Sequence, residues 1–300
     1  MITSTNGCQD SISKPIRTQL ERDGYVIIPS VLQGLPLNNL RRACRQVTDI
    51  ARAGKWPYLR TLPKQFPPWS SDPSNGIWGV QHLLHPSIPE HSLFASTYFA
   101  DTIVDAVKEI IGCEAEEDLV MELYNLLIRP DTDFALRWHR DDISSAATAE
   151  EELERLNKPA WHAQWNLALY DDCSLIAIPG SHKRARTDAE RNADPFSNDM
   201  PGQKVITLNA GDVVFYNNNI LHRGVYSLTT ERMTLHGSIG HMGGCKERAR
   251  NVLQHGVGDW IEKCDFSTLK PNLRVRAECM RKNLKELGDS SGDVGFSHQD

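Results

Sequence analysis

The stretch from Leu136 to Asp142, Leu-Arg-Trp-His-Arg-Asp-Asp, sets a histidine two residues before one aspartate and three before another. On an extended backbone, residues two apart point to the same side, so His139 and Asp141 can reach one ion. Neutral imidazole plus one carboxylate is a mixed nitrogen and oxygen donor set. A second histidine would complete the facial triad of non-haem Fe(II) oxygenases, which leaves coordination positions open. The pair alone is a weak signal. His298-Gln-Asp300 has the same spacing, but it stands on the polar C-terminus with no strand pattern around it. A tail would lose too much conformational entropy in holding a ligand geometry, so that pair is set aside.

The third ligand has to come from another extended segment. His222 follows a Gly-Asp turn and an apolar run in "AGDVVFYNNNILHRGVYS"; by itself it also reads as a half-buried strand histidine. Arg232, ten residues further on, changes the balance. A hairpin between the two would return the guanidinium to the neighbourhood of the ligand, where it could hold a carboxylate through paired N–H···O contacts.

The elements that must position these residues begin near residue 118. "DLVMELYNLLIRP", "AWHAQWNLALYDD", "SLIAIPGSH", "QKVITLNAGDVVFYNN", "NILHRGVYSL" and "RMTLHGSIGHM" are short strand-like runs separated by turn chemistry. Such a series predicts an antiparallel barrel or sandwich rather than a parallel doubly wound sheet. Upstream, residues 24–32 read as a strand and 35–54 as a helix stopped by Gly54. A loop with five prolines spans 55–76, its aromatics poised to pack on something, and a helix over 92–112 stops at Gly112. Thr148 and Glu151 have capping-box spacing and Pro159 lies just beyond, so 148–159 reads as a helix. It looks too acidic for a core, which leaves it as a lid at the mouth of the barrel or a solvated insertion. The expected plan is a disordered stretch over 1–15, one domain over 16–288 with its β core at about 118–242 and C-terminal helices at 244–288, and a flexible tail over 289–300.

Composition narrows the class. Apolar content of 40%, charged content of 24% and a formal charge of −6 describe an ordinary globular chain, with no reason to expect nucleic acid or an anionic membrane as partner. Seven scattered cysteines form no CxxC and no regular framework, and the odd count suits reduced thiols in the cytoplasm. The chain contains no apolar run near the length of a membrane span and no signal-like segment.

Taken in order, His139-x-Asp141, "PGSH" (179–182), "GDVVFYNNNILHRG" (211–224) and Arg232 resemble the phytanoyl-CoA dioxygenase family, as does the opening "ERDGYVIIPSVL". The resemblance spans roughly residues 20–242. It implies a mainly β fold with flanking helices, built on a double-stranded β-helix (jelly-roll, cupin-like) core. It also implies an Fe(II)- and 2-oxoglutarate-dependent dioxygenase that consumes O2, converts 2-oxoglutarate to succinate and oxidises a small organic molecule. His139, Asp141 and His222 become the iron ligands, and Arg232 the partner of the distal carboxylate of 2-oxoglutarate. Trp165 matches a tryptophan lining the cofactor pocket, with a plain core aromatic as its alternative. Asn125 and Gln81 take further cofactor-facing positions. The carboxylate of Asp141, which related halogenases lack, favours hydroxylation, desaturation or rearrangement.

Four more residues are candidates for substrate contact. Arg140 and Arg223 sit beside ligands, although surface arginines are the ordinary reading. His162 and Tyr216 depend on which side strand alternation turns them to. His182 reads as part of a turn, and Asp142 as a solvated neighbour or an acceptor behind the ligand. The chain departs from the family in two places: "DDCSL" (171–175) is shorter and lacks an Asn-Gly turn, and the "AEEELERLNK" helix (149–158) stands between Asp141 and the next strand like a chain-specific lid. Two competing functions remain. A cupin-type hydrolase or isomerase would have no use for the clamp at Arg232, and a silent binding protein would not need a complete triad. Self-association through the C-terminal helices stays open.

Overall fold

The structure is a computed structural model and describes residues 15–159 and 161–295. Nearly all of the expected N-terminal segment and the His298/Asp300 pair lie outside the described residues. In chain order the elements are α1 (Ile16–Asp23), β1 (Tyr25–Ile28), α2 (Gly34–Arg52), β2 (Leu59–Thr61), β3 (Ile77–Val80), α3 (His91–Tyr98), α4 (Asp101–Ile111) and β4 (Leu119–Ile128). There follow β5 (Phe134–Ala135), α5 (Ala149–Leu156), β6 (His162–Ala168), β7 (Asp172–Ala177), α6 (Asp188–Asn192) and β8 (Lys204–Leu208). The chain closes with β9 (Val213–Tyr216), β10 (His222–Tyr226), β11 (Met233–His241), α7 (Lys246–Gln254) and α8 (Pro271–Asp289).

The strands form two sheets, both antiparallel throughout. The larger runs β1-β9-β6-β11-β4-β3-β2 and the smaller β5-β10-β7-β8. Their arrangement is the jelly-roll of the cupin-like double-stranded β-helix. Two expectations change here. Three of the seven strands of the larger sheet come from before residue 118, so the β core is wider than 118–242. Of these, β1 falls within the strand expected over 24–32, whereas β2 and β3, three and four residues long, are too short for periodicity to separate them from loop. Secondly, His222 and Arg232 are not joined by a hairpin. β10 belongs to the smaller sheet and β11 to the larger, so residues 227–232 cross between sheets.

Helices cover the outer face of the larger sheet. α2 turns Leu37, Leu40, Cys44, Val47 and Ala51 toward the main core at helical spacing. The single helix expected over 92–112 is two, broken at Phe99–Ala100, where Ala100 is extended. The break lets Tyr98 and Phe99, adjacent in sequence, both bury completely. α8 places Leu273, Ala277, Met280 and Leu284 in the same core, so its apolar face is covered within the chain. Cys44, Cys113, Cys173, Cys245, Cys264 and Cys279 are all unpaired. Among the described residues, no helix is long and apolar enough to cross a membrane.

Candidate active site

The inner faces of the two sheets build the site. On β10, His222, Gly224 and Tyr226 share one face by strand alternation. His139 lies on an extended segment bridged to His222, and the two exchange both backbone hydrogen bonds, at 3.0 and 3.1 Å. Their rings are therefore neighbours, with centroids 4.3 Å apart. The backbone N–H of Asp141 donates to the Asn218 carbonyl at 2.8 Å, turning the carboxylate back toward them. Asp141 Oδ1 then lies 3.4 Å from His139 Nε2 and 3.7 Å from His222 Nε2. One atom from each of the three can face a common point, all within 4.8 Å of one another.

The tautomers suit a metal. His139 Nδ1 bonds the Arg137 carbonyl and His222 Nδ1 the Ile220 carbonyl, each at 2.8 Å. With the proton on Nδ1, both Nε2 lone pairs point at the shared space. Burial, reinforced by His139, pushes His222 down to about 4, so it stands neutral as a ligand must. Burial opposes ionisation of Asp141, but His222, His139 and the amide of Gln164, 2.8 Å from Oδ2, outweigh it and hold the carboxylate below its usual range. Two imidazoles presenting Nε2 and one carboxylate fit ferrous iron.

A cavity of about 250 Å³ extends from this point between the sheets. The proline-rich loop roofs it: Gln65 Oε1 accepts the Arg137 N–H at 2.8 Å, and Phe66 meets the His139 ring edge-on at 5.4 Å. Gln164 and Asn166 of β6, His236 of β11 and Ser174 of β7 line its walls. His236 Nδ1 bonds Asn166 Oδ1 at 2.9 Å, and burial pushes its pKa down to about 3. Arg232 reaches the cavity from just before β11. Its Nε donates to Asp172 Oδ2 at 3.2 Å, its guanidinium lies 4.3 Å from the centre of the Tyr226 ring, and its buried Nη1 has no protein partner. A guanidinium that lines a polar cavity and keeps one donor without a protein partner suits the distal carboxylate of a 2-oxo acid.

The structure thus brings His139, Asp141, His222, Arg232 and Tyr216 to one cavity. Tyr216 packs edge-on to the His222 ring at 5.4 Å. Asn125 shares a face of β4 with Leu123 and Leu127, which line the cavity; its Oδ1 accepts the His82 N–H at 3.0 Å, and its buried Nδ2 has no partner. His162 stands further out, in a crevice of about 710 Å³ that shares Gln164 and Tyr216 with the metal cavity.

Four expectations are corrected. Trp165 points away, into the core with Tyr98 and Phe215, because its neighbours Gln164 and Asn166 take the cavity side of β6. Arg140 turns to the opposite side from His139 and Asp141, where Nη1 donates to Ser181 O and Asn219 O and Nη2 to Arg184 O. Arg223 likewise faces away from His222, its Nη1 donating to the carbonyls of Phe196 and Ser197 at 2.6 and 2.7 Å. Gln81 belongs to the loop after β3, where its N–H donates to the Tyr58 carbonyl and its carbonyl accepts the Trp56 indole N–H, and it is not among the residues lining the cavity.

Sequence reading missed Arg60, Gln164, Asn166, Asp172 and His236. For Gln164 and Asn166 there was a signal: two amides flanking Trp165 cannot share its face, so a tryptophan in the core means amides in the cavity. Asp172 was hidden inside the "DDCSL" departure.

The chain matches the profile described as Phytanoyl-CoA dioxygenase (PhyH) over residues 20–232. No curated protein matches it. Among solved structures, EctD from S. alaskensis with 2-oxoglutarate and 5-hydroxyectoine gives a TM-score of 0.55 at 17% identity, covering 80% of each chain. AviO1 from Streptomyces viridochromogenes Tue57 gives 0.53 at 18%, covering 75% of this chain and 93% of that one. HygX from Streptomyces hygroscopicus, with nickel, 2-oxoglutarate and hygromycin B bound, gives 0.52 at 17%, covering 75% and 87%. At these identities the likeness establishes the jelly-roll fold, while the profile spans most of the chain and establishes its lineage. The chain belongs to the phytanoyl-CoA dioxygenase family of Fe(II)- and 2-oxoglutarate-dependent oxygenases.

Proposed function

We propose that His139, Asp141 and His222 hold the iron, that Arg232 anchors 2-oxoglutarate, and that the enzyme oxidises a small polar molecule admitted past Gln164 and Tyr216. The observation that carries this reading is the three-residue ligand set facing one cavity with Arg232, whose Nη1 has no protein partner there. Bound iron and 2-oxoglutarate supply the oxidising power, drawn from O2 as the 2-oxo acid is decarboxylated to succinate. The chain supplies orientation. Backbone carbonyls fix both imidazoles, Gln164 fixes Asp141, and Phe66 and Gln65 close the roof against water. The crevice outside is lined by His162, Trp161, Lys158, Asn217 and Asn218, a surface rich in hydrogen-bonding groups that suits a polar substrate.

Anaerobic addition of Fe(II) and then 2-oxoglutarate tests the reading. A visible charge-transfer band that needs both, and that His222→Ala abolishes, is the expected result. Metal binding without any band dependent on 2-oxoglutarate would instead identify a metal-dependent hydrolase or isomerase.

A further inference from the structure

The charges around the cavity do not balance through Arg232 alone. Arg232 is already paired with Asp172, at 3.2 Å, and Asp172 is held in place by Thr234 Oγ1 at 2.8 Å and the Ser174 N–H at 2.7 Å. Both side chains are buried, with 6% and 9% exposed. The pair is formally neutral. A carboxylate laid against it gains hydrogen bonds but no net countercharge, and inside a protein an uncompensated charge is costly. Arg248, which also lines the cavity, is likewise taken: it grips Glu122 with two bonds of 2.8 and 2.9 Å.

Arg60 differs. It lines the cavity, its Nε is buried without a hydrogen-bond partner, and no carboxylate among the described residues forms an ion pair with it. It is also held rigidly. Its guanidinium lies 5.2 Å from the Trp69 ring centre and 5.1 Å from that of Trp78, and Trp78 stacks on Tyr226, the ring that Arg232 covers. On β3, Gly79 lies opposite Arg60, and a Cβ there would come within 3.0 Å of Arg60 Cδ, so the glycine makes room for the arginine stem. Burial lowers the pKa of Arg60, but an arginine starts high enough to remain a cation. Asp141 and Arg232 are among the groups that act on it electrostatically.

Resting on the oxygenase reading above, we propose that Arg60 is the second cation of the 2-oxoglutarate site and supplies the countercharge that Asp172 withdraws from Arg232. In that account iron offsets Asp141 and the metal-bound carboxylate of the 2-oxo acid, Arg232 offsets Asp172, and Arg60 offsets the distal carboxylate. Asp172 then sets how tightly the dianion binds, since it weakens the clamp that Arg232 would otherwise provide.

The test is anaerobic titration of the Fe(II)-loaded protein with 2-oxoglutarate, following the charge-transfer band, with iron affinity measured separately. Arg60→Gln should weaken 2-oxoglutarate at least tenfold and leave iron affinity unchanged, while Arg60→Lys, which keeps the charge, should stay within about threefold of the parent. Asp172→Asn introduced into Arg60→Gln should restore most of the lost affinity, because it returns the charge of Arg232 to the site. Thermal melting of each variant separates lost binding from lost folding. Parent-like 2-oxoglutarate binding in Arg60→Gln overturns the inference, including the case in which only substrate affinity falls, which would assign Arg60 to the substrate. Absence of rescue by Asp172→Asn overturns it as well. If the parent itself gives no band, the oxygenase reading has failed; if the parent gives the band and Arg60→Gln matches it, only the role of Arg60 has.

Discussion

Glu152 Oε1 lies 2.7 Å from the guanidinium of Arg186, and both side chains are buried, with 0% and 6% exposed. The same carboxylate takes Arg191 at 2.9 Å and the Arg186 backbone N–H at 2.6 Å, and it stands 3.9 Å from Arg140, the residue between ligands His139 and Asp141. The acidic first turn of α5 is therefore not all solvated. Glu151 closes the capping box with Thr148, and Glu152 fastens the helix to the back of the ligand segment. The arrangement describes a brace better than a free lid.

Removing Glu152 leaves buried arginines without their shared acid, a loss of about 3–5 kcal/mol by analogy with other broken buried pairs. Glu152→Ala should therefore lower the urea midpoint sharply. Where the variant is still folded, it should bind iron more weakly than the parent. Replacing residues 146–158 by a Gly/Ser linker should likewise cost iron affinity. Intact iron binding with succinate formed but little substrate oxidised would restore the lid reading.

His139→Ala, Asp141→Ala and His222→Ala should each abolish binding of stoichiometric iron while the thermal melt stays cooperative. Metal titration checks this directly. His298→Ala and Asp300→Ala should bind iron like the parent, and a matching loss there would mean that the wrong His-x-Asp pair had been chosen.

Arg232→Leu removes the guanidinium and strands Asp172, so it should weaken 2-oxoglutarate far more than iron. A loss of about 3–5 kcal/mol corresponds to a hundredfold or more in dissociation constant. Calorimetry showing parent-like 2-oxoglutarate binding would remove Arg232 from the site.

His82 gives a pH signature independent of the metal. It is buried, edge-on to Tyr58 at 4.7 Å, and burial pushes its pKa down to about 3. The folded protein keeps it neutral, whereas the unfolded chain takes up a proton below about pH 6.5. The stability from this neutral histidine is complete above that pH and declines as pH falls toward 3, by about 1.4 kcal/mol per unit. His82 has a φ of +65°, a conformation that asparagine tolerates. His82→Asn should therefore shrink the drop in unfolding free energy between pH 7 and pH 5 by about 2 kcal/mol. Urea denaturation at the two pH values measures it, and an unchanged drop would mean that His82 titrates normally.

Sequence alone determined what depends on local geometry. Residues two apart on an extended segment share a side, so His139 and Asp141 were legible as a pair before any fold was known. Thr148 and Glu151 were legible as a cap because both hydrogen bonds lie within one turn. Tertiary structure decided what depends on which layer covers which face. Alternation says that Gln164 and Asn166 oppose Trp165, but only the helices packed outside β6 send the tryptophan to the core and the amides to the cavity. Spacing from His222 to Arg232 suggested a hairpin, yet the strands join different sheets, and the arginine reaches the cavity from the facing wall. Arg60 sits on a three-residue edge strand 79 positions before His139, and no local pattern marks it. Its place in the cavity, like the burial of Glu152, comes from contacts between segments far apart in the chain, which period and propensity do not encode.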